Sequence, residues 1–119
     1  MMYLVNNKYK KNNITKAWIN KFNFYKITID DEEAYRYTFP VFKYYNSPIL
    51  DCEITIFTSD GEVKINVYDH GTKSRYAPFY YIEYGNYDKV IKKINKEINK
   101  KLKEFGIEKV NEHDKYIGV

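Results

Sequence analysis

The period of the apolar residues changes along this chain, and the changes mark its elements. Near the C-terminus Val90, Ile91, Ile94, Ile98, Leu102 and Phe105 recur every three or four residues. That spacing is one buried stripe on an α-helix. Asn86 stands where an N-cap is needed, Asp88 falls in the positively charged first turn, and Gly106 supplies a left-handed stop. Upstream the period drops to two. Val63, Ile65 and Val67 alternate with Glu62, Lys64 and Asn66, and Ile54 and Ile56 are expected on the same inner face. Asp60-Gly61 between these runs predicts a hairpin. Tyr25, Ile27 and Ile29 alternate and predict another strand.

Aromatic and β-branched residues fill 34–45 (AYRYTFPVFKYY), a further strand. Pro40 has no N–H to give a ladder, so this strand is expected at an edge or with a bulge. Residues 76–84 (YAPFYYIEY) are also expected as a strand, ended by Gly85. Its alternation would put Phe79 and Tyr81 on one side and Tyr80, Ile82 and Tyr84 on the other. DDEE (30–33) reads as an acidic turn, NSP (46–48) as punctuation, and 69–75 as a basic loop. Ile14, Trp18 and Ile19 fit a short helix, and the tail after 109 a short strand or a frayed end. The predicted class is α+β: a mostly antiparallel four- to five-stranded sheet, a long C-terminal helix on one face, and room for a short N-terminal helix. Residues 1–13 are expected as a flexible basic arm ahead of a single domain, 14–119. The second sheet face, open or covered by the N-terminal segment, is where the surplus tyrosines would go.

Composition narrows this. A chain of 119 residues with 44% hydrophobic content can bury a core without disulfides or a structural metal. Cys52 is the only cysteine, so no intrachain disulfide or multi-cysteine zinc site exists, and a reducing cytoplasm is the expected setting. No secretory signal pattern opens the chain and no apolar run reaches membrane-spanning length. The net charge of +4 permits nucleic-acid binding without demanding it. Lys, Asn, Ile and Tyr make up about half the residues, all with AT-rich codons. An AT-rich bacterial genome, or a phage or mobile element of one, is the expected source. Codon bias therefore accounts for part of the lysine and tyrosine excess.

Candidate chemistry gathers at DHGTKSRY, 69–76. Backbone amides near Gly71 with Lys73, Ser74 and Arg75 would suit a phosphate, although the P-loop pattern is not met. The plain alternative is a solvated loop. Tyr76, Tyr80 and Tyr84 are expected as outward rings beside it, a stacking platform for single strands or an anchor for a protein; the plain alternative there is a second core layer. Lys92 and Lys96 lead a row of helix lysines that would extend the positive surface, or simply face water. Asp51 with Glu62-Val63-Lys64 loosely resembles the PD-(D/E)xK nuclease pattern, which implies a carboxylate pair on Mg²⁺ and a lysine that activates water. Pro48 is three residues ahead of Asp51 rather than adjacent to it. His70 and His113 lack the spacing of a metal helix, and Cys52 reads as an inert, half-buried thiol.

The expected function is a small non-catalytic binding protein that engages nucleic acid or a nucleoprotein complex. The alternative is a protein–protein modulator that docks on and inhibits a host defence enzyme; the nuclease is third. Neither a cofactor, a metal nor a membrane partner is expected.

Overall fold

The computed structural model describes residues 8–80 and 89–110. Six antiparallel strands form one sheet: β1 (Lys8–Lys10), β2 (Tyr25–Ile29), β3 (Glu32–Tyr44), β4 (Ser47–Phe57), β5 (Glu62–Asp69) and β6 (Glu108–Val110), in the order β2-β3-β4-β5-β1-β6. The helices are α1 (Lys16–Lys21) and the long α2 (Lys89–Phe105). The class is α+β, as the periodicity predicts, with more strands than expected.

The core lies between α2 and one sheet face. Ile91, Ile94, Ile98, Leu102 and Phe105 of the helix stripe are buried against Leu50, Cys52, Ile54, Ile56, Val63 and Val67. Cross-strand pairs Cys52–Val67, Ile54–Ile65 and Ile56–Val63 put the alternating sets on one inner face. Gly106, at φ 71°, ends the helix, and the Ile107 amide donates to the Leu102 carbonyl. Burial of the Cys52 side chain pushes its thiol far up, so it stays protonated and inert.

Four expectations need correction. Lys8–Lys10 is not part of a flexible arm: it pairs with both β5 and β6. Three residues with two exposed lysines look disordered in sequence, yet Tyr9 packs on the core and fixes them. Among the described residues the N-terminal segment does not cover the second sheet face, coverage being one of the two alternatives expected for that face. Ile14, Trp18, Ile19 and Phe22 pack on the same core as α2, and the Trp18 indole donates to the Phe105 carbonyl at 3.0 Å. Tyr35 and Tyr37 also lean on this core, which leaves Tyr25 and Tyr68 on the polar side of the sheet. Finally, 77–80 is not a strand but a 3-10 turn, Ala77–Tyr80.

Pro40 sits in a long strand flanked by β2 and β4, but β2 pairs only as far as Arg36. At Pro40 the strand is locally an edge, and its register with β4 shifts between Pro40 and Phe42. Edge and bulge occur together because the missing N–H faces no partner there. The expected N-cap at Asn86 and first-turn Asp88 lie outside the described residues, as do 81–85 and the tail from 111. Among the described residues no helix is long and apolar enough to cross a membrane.

Candidate nucleic-acid interface

The 69–75 loop is built on Asp69. Its carboxylate oxygen accepts from the Gly71 amide at 2.9 Å and the Thr72 amide at 2.8 Å. The Lys73 amide donates to the Asp69 carbonyl, and the Ser74 amide to the Thr72 hydroxyl. These bonds, the Thr72 amide foremost, hold the Asp69 carboxyl below its usual range. The amides expected to hold a phosphate are thus occupied by the chain's own carboxylate, which would also repel an anion. Lys73 is exposed in the left-handed region at φ 63°, and Ser74 is exposed with its carbonyl taken by the Asp69 amide.

Arg75 is exposed. Its guanidinium lies 3.8 Å over the Tyr80 ring, a cation–π stack. Tyr76 is half-buried against the core, and its amide donates to the Val67 carbonyl at 2.9 Å. The Tyr80 hydroxyl accepts from the Val67 amide at 2.9 Å and faces Asn66 Oδ1 at 3.3 Å. These residues cover the outer edge of β5 at Val67; among the described residues β1 pairs with Glu62 and Val63 of that edge. The expected outward platform of Tyr76 and Tyr80 is therefore an edge cover, because unpaired strand groups need partners more than rings need solvent. Tyr84 lies outside the described residues.

Lys92 and Lys96 do belong to an open positive surface. Lys89, Lys92, Lys93, Lys96, Lys100 and Lys103 are all exposed. Their spacing places them on one side of α2, opposite the buried stripe. At 1.5 Å per residue the ridge runs roughly 21 Å. The helix acids lie off this line: Glu104 pairs with Lys101 at 3.4 Å, and Glu97 is half-buried on the helix flank. None of the ion pairs among the described residues engages a ridge lysine.

The nuclease constellation does not assemble. Asp51 faces Tyr68 across the ladder, six residues along β5 from Glu62. That is roughly 20 Å at strand rise, too far to share one ion. Asp51 instead sits 2.7 Å from His70 Nδ1 and fastens the loop to β4. Lys64 lies over the Phe57 ring at 5.4 Å.

Two features escaped sequence reading. One is the β3–β4 tip, where Tyr44 and Tyr45 are 62% and 84% exposed with rings 4.5 Å apart. The other is a groove of about 510 Å³ between α2, the edge of β5 and the Ala77–Tyr80 turn. Neither has a sequence signal, because both depend on which elements meet. No family, curated protein or solved structure matches this chain.

Proposed function

We propose that this is a nucleic-acid-binding protein without hydrolytic activity, and that the lysine ridge of α2 is its principal contact. The observation that carries the reading is six exposed lysines in one row with their neighbouring acids turned aside. Such a row neutralises phosphates along a backbone and gains most of its affinity from counterion release. The 69–75 loop has a secondary part in this reading, since Asp69 fills its anion cradle. A reducing, cytoplasmic setting accords with the lone buried thiol of Cys52.

The test is binding to short oligonucleotides as a function of salt. Log K should fall linearly with log salt. Substituting Lys92, Lys96 and Lys100 by Gln should flatten that slope by about 0.7 to 0.9 for each phosphate that is no longer neutralised. No binding at low salt, or an unchanged slope in the triple variant, sinks the proposal. Incubation with plasmid and RNA in Mg²⁺ should leave both intact.

A second reading has its own support. The β3–β4 tip presents Tyr44, Tyr45 and Ile49, three of the four large hydrophobic residues most exposed among the described ones. Exposed tyrosines at a projecting turn suit docking on a protein, as an inhibitor of a host enzyme would require.

A further inference from the structure

We infer that the outer edge of β2 is a self-association surface, on which a second copy of this chain adds its own β2, antiparallel, around a two-fold axis at Ile27.

The hairpin that carries β2 fixes which of its backbone groups point outward. Ile29 pairs with Glu32 across the Asp30-Asp31 turn, and both turn residues have positive φ. In such a hairpin the residues flanking the turn exchange their backbone bonds, and the exchange repeats at every second residue. Tyr25, Ile27 and Ile29 therefore bond to β3, while the N–H and C=O of Lys26 and Thr28 point away from it. The far side of β3 agrees, since the Glu33 carbonyl turns to β4 and accepts from the Thr58 amide. β2 ends the sheet, so among the described residues no strand meets the Lys26 and Thr28 rungs. The Phe24 amide just before them is taken by the Ile19 carbonyl.

These rungs fit their own copy. Antiparallel pairing that uses both sets Lys26 of one copy against Thr28 of the other, twice, and places the Ile27 residues opposite each other. Tyr25 of one copy then faces Ile29 of the other. A pairing centred on Lys26 would oppose lysine to lysine. One centred on Thr28 would set Lys26 against Asp30, whose left-handed φ of 49° takes it out of the ladder. The side chains favour the Ile27-centred register as well. On the polar side of the sheet Ile27, Ala34 and Phe57 form one cross-strand row. Ala34 and Phe57 are buried, although neither belongs to the main core. Lys64 closes the row at its β5 end, 5.4 Å over the Phe57 ring. At the β2 end the row stops at half-buried Ile27, between half-buried Ile29 and Tyr25, which is 48% exposed. A second copy continues this apolar row. On the opposite side exposed Lys26 meets exposed Thr28, so no like charges face each other. Such self-complementarity is what a two-fold interface requires. Beyond Arg36 the sheet edge passes to β3, where Pro40 and the register shift disfavour pairing. The seam is therefore short and the dimer weak. A two-fold normal to the sheet keeps both α2 helices, with their lysine ridges, on one side.

The test is sedimentation equilibrium of the full chain, paired with amide exchange. The apparent mass should rise from 14.4 kDa toward twice that value between about 10 μM and about 1 mM, the range of a weak interface. Over the same range the Lys26 and Thr28 amides should gain protection. Thr28→Lys, at an exposed position, sets lysine against lysine at two places in the dimer and should weaken association roughly tenfold. Adding Lys26→Glu turns both pairs into opposite charges and should restore it, which a folding defect would not allow. No rise in mass up to about 1 mM overturns the inference. Association that Thr28→Lys leaves unchanged overturns it too, because another surface is then responsible. So do Lys26 and Thr28 amides protected equally at every concentration, the mark of an edge covered by the chain itself.

Discussion

The tyrosines at 44–45 and those at 76–80 come from similar-looking stretches, KYYN and RYAPFY, and end in opposite surroundings. At the β3–β4 tip the hairpin satisfies its own backbone: Tyr44 pairs with Ser47 around a two-residue turn. The rings have no structural task there and stand in water. Further along the outer edge of β5, at Val67, the chain supplies Tyr76 through its amide and Tyr80 through its hydroxyl. Arg75 then stacks on Tyr80 and covers one ring face. Aromatic density therefore says little about exposure. What decides is whether nearby backbone groups still need partners.

The strongest way to break this comparison is Tyr80→Phe. The ring remains, but the Val67 amide loses its acceptor, which should cost about 1–3 kcal/mol in chemical denaturation. An unchanged midpoint would mean that water serves Val67 equally well and that Tyr80 is no edge cover.

The two stretches also show what was legible in sequence. The α2 stripe and the Val63/Ile65/Val67 alternation were readable because each depends on one element's own period. The same holds for the Asp60-Gly61 hairpin, a local turn preference. The fate of Tyr80 was not readable, since its hydroxyl meets the Val67 amide on the edge of another strand, an arrangement of separate segments. Residues 76–84 were expected as a strand, yet 77–80 folded into a 3-10 turn that serves the edge of another strand. The Asp69 carboxylate sits in the very motif read as a phosphate cradle; its preference for the amides two and three residues on was the overlooked signal. Of the expected binding residues, Lys92 and Lys96 stay open because a helix period predicts its outer face as reliably as its inner one.

A smaller effect sharpens the other half of the comparison. Tyr45 and Asn46 both have positive φ, 51° and 75°. The β2–β3 turn uses the same conformation, with Asp30 and Asp31 at 49° and 64°. Asp and Asn tolerate it through local hydrogen bonds, whereas a tyrosine gains nothing there. Tyr45→Asn should stabilise the protein by up to about 1 kcal/mol. Loss of stability instead would show that the Tyr44–Tyr45 ring contact contributes to the fold.

The loop that delivers Tyr76 and Tyr80 should also respond to acid. The folded-state pKa of Asp69 is depressed, chiefly by the Thr72 amide. Its contribution is therefore complete above the ordinary carboxylate range and is lost as pH falls through the lower folded value. The carboxylate is exposed, so the effect is local and screened. Amide exchange at Gly71 and Thr72, corrected for intrinsic rate, should lose protection below about pH 4. The loss should vanish in Asp69→Asn, whose amide oxygen keeps both bonds without titrating. Protection that falls identically in the variant would assign the acid response to another group.

The smallest effect is expected at Tyr44. Its ring touches Tyr45 at 4.5 Å, and both rings are mostly in water. Removing such a side chain by Tyr44→Ser should change stability by less than about 0.5 kcal/mol. Oligonucleotide affinity should stay constant as well, because the lysine ridge lies on α2 and not on this hairpin. A partner protein that docks on the tip would lose affinity in the same variant, since exposed tyrosines serve as anchors. Paired measurements on Tyr44→Ser and Tyr80→Phe therefore separate two roles of one residue type. If both variants lose stability alike, exposure at the tip has been misjudged and the contrast between the two stretches fails.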